Sequence, residues 1–239
     1  MPSDRGREPL VLLPGLLCDE RLFGPQRAAL EGAAAEVRVP GLTRDDAVAG
    51  MAARVLGDAP ARFALAGLSM GGYVALEILR QAPDRVTRLA LLDTQARPDT
   101  EDARAARREL IDSAGREGIG AVARKLMPKL LHQDRLEDAG LAGTVRAMAE
   151  AVGADAFARQ QRAVMDRPDS RPSLAAIGVP TLVLAGREDA ITPPEVQHEM
   201  AAAIPAATLV LLPRCGHLST LERPGAVARQ FLAWLDEGT

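Results

Sequence analysis

One serine of this chain stands in a pattern that favours a nucleophile. The pentapeptide GLSMG at residues 67–71 has the form GxSxG, with Ser69 at its centre. It follows the apolar run 63–66 and precedes residues 73–80, which have helical spacing. The spacing therefore predicts a tight turn from strand to helix that exposes the serine. Glycines on both sides would let that turn approach its neighbours without steric overlap, and the helix amides would favour negative charge beside it. Such a serine is suited to attack on a carbonyl carbon.

A serine hydroxyl is a weak nucleophile until a base takes its proton, and the sequence has only three histidines to serve as that base. His217 follows the predicted last strand, Thr208–Leu212, in a loop that can reach the end of the strand before Ser69. We therefore predict His217 as the general base. His198 lies inside a helical stretch and is interpreted as a solvated residue. His132 is interpreted as a surface residue, with a substrate contact as the alternative.

The elements that must position these residues alternate along the chain. Short apolar runs are separated by stretches of helical period, which indicates a parallel sheet covered on both faces. The expected fold class is α/β, with a mostly parallel six-stranded sheet flanked by helices. The predicted strands are Leu10–Leu13, Glu36–Val39, Phe63–Leu68, Arg88–Leu92, Thr181–Ala185 and Thr208–Leu212. The predicted helices outside the longest gap between strands cover residues 47–56, 72–80, 195–204 and 226–235.

Residues 95–178 interrupt this alternation, because they contain several helical segments and no convincing strand. An insertion at the carboxyl end of a strand lies over the site in open α/β sheets. We therefore predict a helical cap at 95–178 and a core made of residues 1–94 and 179–239. The alternative is a helical excursion without a lid role. The predicted cap helices cover residues 101–113, 120–131, 141–152 and 154–165.

With the serine turn and this alternation, residues Leu10–Leu235 resemble the α/β-hydrolase fold superfamily. The resemblance implies a triad in the chain order Ser69, Asp189, His217. In that triad the acid orients the base and stabilises its protonated form. Asp189 follows the strand 181–185 and matches the acid position of the superfamily.

Two other carboxylates remain candidates for the acid. Glu188 is the neighbour of Asp189, and Asp93 follows the strand 88–92, where some members of the superfamily carry the acid. Asp93 is otherwise interpreted as a structural residue at the end of that strand. Thr192 is predicted as the N-cap of the helix that follows Asp189.

The resemblance also implies an oxyanion hole made of two backbone amides. One belongs to Met70, the residue after the nucleophile. The other is assigned by position to Leu16, in the loop after the first strand. Many members have His-Gly in that loop, whereas this chain has Pro14-Gly15. The departure keeps the backbone donor and removes a histidine that usually helps to hold the loop.

The substrate contacts are predicted from the same loops. Leu17 and Leu218 are expected to line an apolar site. Arg97 is interpreted as a solvated residue, with contact to a substrate carboxylate as the alternative. Cys18 and Cys215 lie in loops near the proposed site but not at the serine turn, so they are interpreted as small buried hydrophobic residues.

Composition excludes several other functions. The formal net charge is −3, so no basic excess favours nucleic acid or an anionic membrane. We expect no membrane span, no secretory signal and, from two cysteines, a cytoplasmic protein. Metal and nucleotide motifs are absent from the sequence, so no cofactor and no metal are expected. We expect a monomer or a dimer.

These features together predict a serine hydrolase that cleaves a carboxylic ester-type bond of a small molecule through an acyl-enzyme. The closest resemblance within the superfamily is to small bacterial esterases and lactonases. The same triad would also serve lactone or carbon–carbon bond hydrolysis, elimination, or acyl transfer. A member that only binds a ligand is the remaining alternative.

Overall fold

The computed structural model describes residues 7–236. Within them, six strands form one sheet in which every neighbouring pair is parallel. The strands are β1 (Leu10–Leu13), β2 (Val37–Arg38), β3 (Phe63–Leu68), β4 (Val86–Leu92), β5 (Thr181–Gly186) and β6 (Ala207–Leu212). The order across the sheet is β2-β1-β3-β4-β5-β6. The predicted fold class is therefore confirmed, with β2 shorter than predicted and β4 beginning two residues earlier.

Helices connect and cover these strands. In chain order they are α1 (Gly24–Ala29), α2 (Val48–Asp58), α3 (Met70–Gln81), α4 (Glu101–Glu117), α5 (Ile119–Leu130), α6 (Ala139–Met165), α7 (Pro194–Ala203), α8 (Ser219–Glu222) and α9 (Pro224–Asp236). None of the helices in residues 7–236 combines the length and the apolar character needed to cross a bilayer.

The sheet separates two apolar layers, because successive residues of a strand point to opposite faces. In β3, Phe63 and Leu65 pack in the layer with α2 and α3, whereas Ala66 and Leu68 pack in the layer with α9. All six residues of β3 are buried. Burial on both faces explains why the strands are continuous apolar runs rather than alternating ones.

Helices α4, α5 and α6 form the long connection between β4 and β5 and pack on one another. Two of the predicted helical segments are joined in α6, which is interrupted at Gly153, where φ is 76°. The three helices have a small apolar core of their own, in which Val122, Ala149 and Phe157 are buried. Leu17, from the loop after β1, belongs to that core as well. The insertion is thus packed directly onto a loop of the sheet.

The side of the sheet on which strands are added changes after β2. The strand β2 lies on one side of β1, whereas β3 and the later strands lie on the other side. The loop after β1 and the turn after β3 therefore meet at a topological switch point, where open α/β sheets place their ligands. Register brings the ends of the strands level, since Leu68 pairs with Leu92 and Leu92 pairs with Leu184. The loops that carry all predicted site residues leave from this one edge.

Candidate active site

Ser69 lies in the sharp turn between β3 and α3. Its φ of 54° and ψ of −113° lie outside the regions that L-residues prefer, so its backbone is strained. A Cβ on Gly67 would overlap the carbonyl oxygen of Gly71, and a Cβ on Gly71 would overlap the carbonyl oxygen of Leu13. The predicted strand, turn and helix around Ser69 are present, and the turn requires glycine at both positions.

The three residues of the predicted triad are in hydrogen-bond contact. Nε2 of His217 lies 2.9 Å from Oγ of Ser69, and Nδ1 of His217 lies 2.8 Å from Oδ2 of Asp189. A carboxylate only accepts hydrogen bonds, so Nδ1 carries the proton and Nε2 is the acceptor for the serine hydroxyl. The arrangement holds the imidazole in the tautomer that a general base needs.

Asp189 is held by the segment that follows it. Its Oδ1 accepts hydrogen bonds from the amides of Ile191, at 2.8 Å, and Thr192, at 3.0 Å. The hydroxyl of Thr192 donates to Oδ2 at 2.6 Å. The prediction that Thr192 caps α7 is therefore wrong: Pro193 occupies the N-cap position, and the threonine orients the carboxylate instead.

Glu188 and Asp93, the alternative acids, do not contact His217. Glu188 accepts a hydrogen bond from the amide of Cys215. Asp93 is fully buried, accepts from the amide of Gly186 at 2.9 Å, and accepts from the hydroxyl of Ser219. Asp93 therefore ties the end of β5 to the segment that follows the histidine.

The electrostatics of the site follow from burial and from these contacts. Burial lowers the pKa of His217, but the charge and hydrogen bond of Asp189, with smaller contributions from Asp93 and Glu222, raise it above 6.5 overall. Burial raises the pKa of Asp189, but His217 and Thr192 reverse this and hold it below its usual range. An ionised Asp189 next to a protonatable His217 is thus the favoured state.

The pKa of Asp93 is shifted in the opposite direction to that of Asp189. Burial, and then the nearby charge of Asp189, raise the pKa of the Asp93 carboxyl well above its usual range, although His217 and Ser219 act against the shift. Two carboxylates in one buried region disfavour ionisation of both. Because Asp189 has the better hydrogen-bond donors, the negative charge lies on it.

The loop after β1 packs against the serine turn. A Cβ on Gly15 would lie 3.5 Å from the Cβ of Ser69. The amide of Cys18 donates to the carbonyl of Gly15 and closes a turn, in which Leu17 has a φ of 59°. The amide of Leu17 donates to Oε1 of Gln160 at 3.1 Å.

Two backbone amides beside the nucleophile have no hydrogen-bond acceptor among the described residues. The N–H groups of Leu16 and Met70 donate to no acceptor within residues 7–236. Met70 begins α3, and the first amides of a helix have no intrahelical acceptor. Leu16 and Met70 are the residues predicted for the oxyanion hole, and their amides are available for an external acceptor.

Gln160, which sequence reasoning missed, connects the insertion to this loop. It lies in α6, is fully buried, and accepts from Leu17 through Oε1 while its Nε2 donates to the carbonyl of Leu42 at 3.0 Å. One signal was visible in the sequence. Gln160 and Gln161 share a helical face with Phe157 and Val164, and amides on an apolar stripe are unusual.

The histidine loop is also held by the insertion. The amides of His217 and Leu218 both donate to the carbonyl oxygen of Leu130, at the end of α5. Oε1 of Glu222 accepts from the amide of Gly216 at 2.9 Å. Both loops that flank Ser69 therefore hydrogen-bond to the helices inserted between β4 and β5.

The other two histidines lie away from Ser69. His198 is exposed on α7, as predicted. His132 is buried, so its interpretation as a surface residue is wrong. Its amide donates to Glu222 at 2.8 Å, and its Nδ1 accepts from the amide of Asp134. His132 does not line the cavity at Ser69.

A cavity of about 320 Å³ lies beside Ser69 and His217, between the loops of the sheet and the inserted helices. Leu17 and Leu218, the predicted substrate contacts, both line it. Arg97 does not: it is exposed and paired with Glu199 at 2.7 Å. The apolar lining includes Leu16, Leu17, Met70, Leu110, Leu126 and Leu218.

The two cysteines are buried thiols. Cys18 lines the cavity, and burial raises its pKa to about 12, with a further contribution from Asp19. Burial also raises the pKa of Cys215. A thiol with a raised pKa is a poor nucleophile. Among residues 7–236, no cluster of three or more His, Cys, Asp or Glu side chains is arranged to hold a metal ion.

Comparison with known proteins shows which family the chain belongs to. A model of the alpha/beta hydrolase family matches residues 10–230. The structure is similar to a thermophilic esterase from Thermogutta terrifontis, solved with malate bound, with a TM-score of 0.86 and 32% identity, covering 95% of this chain and 89% of that one. It is similar to the enol-lactonase of Burkholderia xenovorans LB400, with a TM-score of 0.84 and 28% identity over 98% of this chain and 94% of that one.

A curated relative is similar over a shorter region. The protein named "Putative carbamate hydrolase RutD" of Pseudomonas savastanoi pv. phaseolicola is 31% identical over 170 residues. The match covers 69% of this chain and 64% of that relative. Because the family model spans nearly the whole chain, the chain belongs to the alpha/beta hydrolase family.

Proposed function

We propose that this alpha/beta hydrolase is a serine hydrolase that cleaves an ester-type bond of a small molecule through an acyl-enzyme intermediate. The observation that carries the proposal is the unbroken contact from Ser69 through His217 to Asp189, at 2.9 and 2.8 Å. That contact faces a cavity of substrate size, whose volume of about 320 Å³ suits a small ligand.

Acylation begins when Oγ of Ser69 attacks the carbonyl carbon and Nε2 of His217 takes the hydroxyl proton. The carbonyl oxygen becomes an oxyanion, which accepts hydrogen bonds from the free amides of Leu16 and Met70. The N-terminus of α3 adds a favourable dipole at that point. When the bond to the leaving alcohol breaks, His217 donates its proton to the departing oxygen.

Deacylation repeats these steps with water. Nε2 of His217 takes a proton from a water molecule, whose oxygen attacks the acyl carbon. The second oxyanion collapses, the acid leaves, and the proton returns to Oγ of Ser69. Asp189 keeps the imidazole oriented and stabilises the imidazolium that forms in both halves of the cycle.

Gln160 is a positioning residue in this proposal. The amide of Leu17 is engaged by Gln160, so only the preceding amide, that of Leu16, is left for the oxyanion. The side chain of Gln160 thereby holds the loop after β1, as the histidine does in members of the superfamily with His-Gly in that loop. It is buried and fixed at both ends, so it holds the loop without touching the substrate.

Lactone hydrolysis is the second candidate. It uses the same steps, except that ring opening leaves the alcohol covalently attached to the acyl group, and water then releases a single hydroxy acid from Ser69. The likeness to an enol-lactonase over 98% of this chain favours it. The likeness to an esterase at higher identity favours an open-chain ester.

Hydrolysis of p-nitrophenyl esters from acetate to decanoate, with wild type beside Ser69→Ala, tests the proposal. We expect turnover in the wild type, an optimum at short acyl chains, and a loss of at least about 1,000-fold in the variant. A Ser113→Ala variant, which alters a serine of α4 outside the cavity lining, is the matched control. Turnover that survives in Ser69→Ala would contradict the proposal.

A further inference from the structure

One wall of the cavity is polar, although the rest is mainly apolar. We call the side chains of Arg107, Lys129 and Gln161 the basic wall; all three line the same cavity as Ser69. They belong to α4, α5 and α6 respectively, so each inserted helix contributes one of them. None of them takes part in the steps proposed for the triad.

Arg107 is held in a fixed orientation by two neighbours. Its Nε donates to Oδ2 of Asp99 at 2.6 Å, its Nη2 donates to Oδ1 of Asp99 at 3.4 Å, and its Nη1 donates to Oε1 of Gln161 at 2.8 Å. Asp99 also forms an ion pair with Arg167, so two guanidinium groups share a single carboxylate. A guanidinium has five N–H donors, so these three contacts leave two N–H groups of Arg107, one on Nη1 and one on Nη2, for a ligand.

Gln161 carries a donor with no acceptor. A guanidinium can only donate, so Arg107 fixes Oε1 of Gln161 toward itself and turns Nε2 away. The side chain is fully buried, and within residues 7–236 its Nε2 has no hydrogen-bond partner. A buried donor of this kind is unfavourable unless water or a ligand in the cavity supplies an acceptor.

The charges of this side of the cavity are not balanced. Lys129 is exposed, and its ammonium makes no ion pair within the described residues. Asp99 is the single carboxylate of the cavity lining in residues 7–236, against Arg107 and Lys129. Arg167 lies outside the cavity lining but also pairs with Asp99, so this one carboxylate is shared and does not neutralise both Arg107 and Lys129.

We propose that the basic wall binds a carboxylate of the substrate, so that the enzyme prefers esters that carry a free acid group at the end away from the scissile bond. The proposal rests on the proposed function, because it assigns a substrate class to the same cavity. An arginine held in place offers paired donors that match a carboxylate, and Gln161 adds one more. The apolar residues that line the same cavity suit a short methylene chain. A half-ester of a linear dicarboxylic acid has this chemistry.

The test compares methyl esters with and without the second acid group. Monomethyl glutarate, adipate and pimelate are paired with methyl pentanoate, hexanoate and heptanoate, and acid release is measured by titration at constant pH. We expect kcat/KM of the wild type to be at least about tenfold higher for the best half-ester than for its neutral partner. Arg107→Met should lower that ratio by about tenfold, because the fixed guanidinium is lost.

Two further variants keep the test independent of folding. Lys129→Gln changes an exposed side chain and should lower the ratio of kcat/KM for half-esters to that for neutral esters by a few-fold. Added salt should lower the same ratio of the wild type by a similar factor, because salt screens the charge of an exposed lysine. Arg108→Met alters the neighbouring exposed arginine of α4, which does not line the cavity, and should leave the ratio unchanged. Equal kcat/KM for both ester types in the wild type, or a ratio that neither Arg107→Met nor Lys129→Gln changes, would overturn the proposal.

The results separate this proposal from the proposed function. If neutral methyl esters are hydrolysed through Ser69 without a preference for half-esters, only the carboxylate proposal fails. Failure to hydrolyse any half-ester also overturns it, even if a fluorophosphonate labels Ser69. If no ester is hydrolysed and Ser69 is not labelled, the proposed function fails and the carboxylate proposal fails with it.

Discussion

The carboxyl edge of the sheet and the helical insertion meet at the same cavity, but each contributes in a different way. At the edge, Ser69, Asp189 and His217 stand in loops that leave the ends of strands. The insertion supplies residues from the faces of three helices, such as Arg107 and Gln161. The proposed reaction chemistry therefore depends on the order of strands, whereas the proposed substrate selection depends on how helices pack.

The two regions are not independent of each other. Gln160 of the insertion holds the loop after β1, and the carbonyl of Leu130 accepts from two amides of the histidine loop. A change in the insertion can therefore alter the reaction rate as well as the choice of substrate. Variants of single residues in each region separate an effect on kcat from an effect on the choice of substrate.

The largest effect is expected at the edge, for Asp189→Asn. The amide would disturb the tautomer of His217 and remove the charge that stabilises its protonated form, so kcat should fall on the order of 10³- to 10⁴-fold. Asp93→Asn is the matched control, because Asp93 is equally buried but does not contact the histidine. It should cost less than about tenfold in kcat. A larger loss for Asp93→Asn than for Asp189→Asn would reverse the assignment of the acid.

An intermediate effect on kcat is expected at Gln160, through which the helical insertion contacts the loop after β1. Gln160→Leu leaves the amide of Leu17 and the carbonyl of Leu42 unpaired, so the oxyanion loop should shift. We expect kcat to fall about 10- to 100-fold with little change in KM, because a misplaced amide weakens the transition state rather than substrate binding.

The control for this variant is a titration of the active sites that can react. Rates of Gln160→Leu are expressed per active site titrated with a fluorophosphonate, so that partial unfolding does not count as lost kcat. The loss of two buried hydrogen bonds should also lower the unfolding free energy by about 1–3 kcal/mol. An unchanged kcat per titrated site would show that Gln160 supports only stability.

The smallest effect is a displacement of the pH profile. The base must be neutral to accept a proton, so kcat/KM falls as the pH drops through the pKa of free-enzyme His217. Because the contacts of His217 raise its pKa, the acid limb should have its midpoint above pH 6.5. In Asp189→Asn the main raising influence is gone, so the midpoint of the residual activity should move to lower pH. A midpoint that does not move would contradict the role of Asp189.

Much of the edge was predictable, because each of its features is local in sequence. A buried apolar run followed by glycine marks Ser69, whereas Asp189 was assigned from the resemblance to the superfamily. The six strands were predicted from apolar runs as well. Thr192 was assigned wrongly because a threonine ahead of a helix suits an N-cap as well as a carboxylate, and only the tertiary structure decides.

The insertion was less predictable, because helical period identifies helices but not what they face. The extents of α4 and α5 were predicted to within a few residues, yet Arg97 was weighed as a carboxylate ligand and Arg107 was not. Arg107 lies on one face of α4 with Ala103 and Leu110, and all three line the cavity. A charged residue on an apolar stripe was the available signal. The division into a core and a cap at residues 95 and 178 stays a prediction.

Activation of Ser69 by His217 for covalent attack can be tested by labelling. The protein is treated with a fluorophosphonate and its peptides are analysed by mass spectrometry, in wild type, Ser69→Ala and His217→Ala. We expect one adduct, on Ser69, in the wild type. We expect no adduct in Ser69→Ala, and labelling slower by at least about 100-fold in His217→Ala. An adduct on another residue, or equal labelling rates in wild type and His217→Ala, would contradict activation of Ser69 by His217.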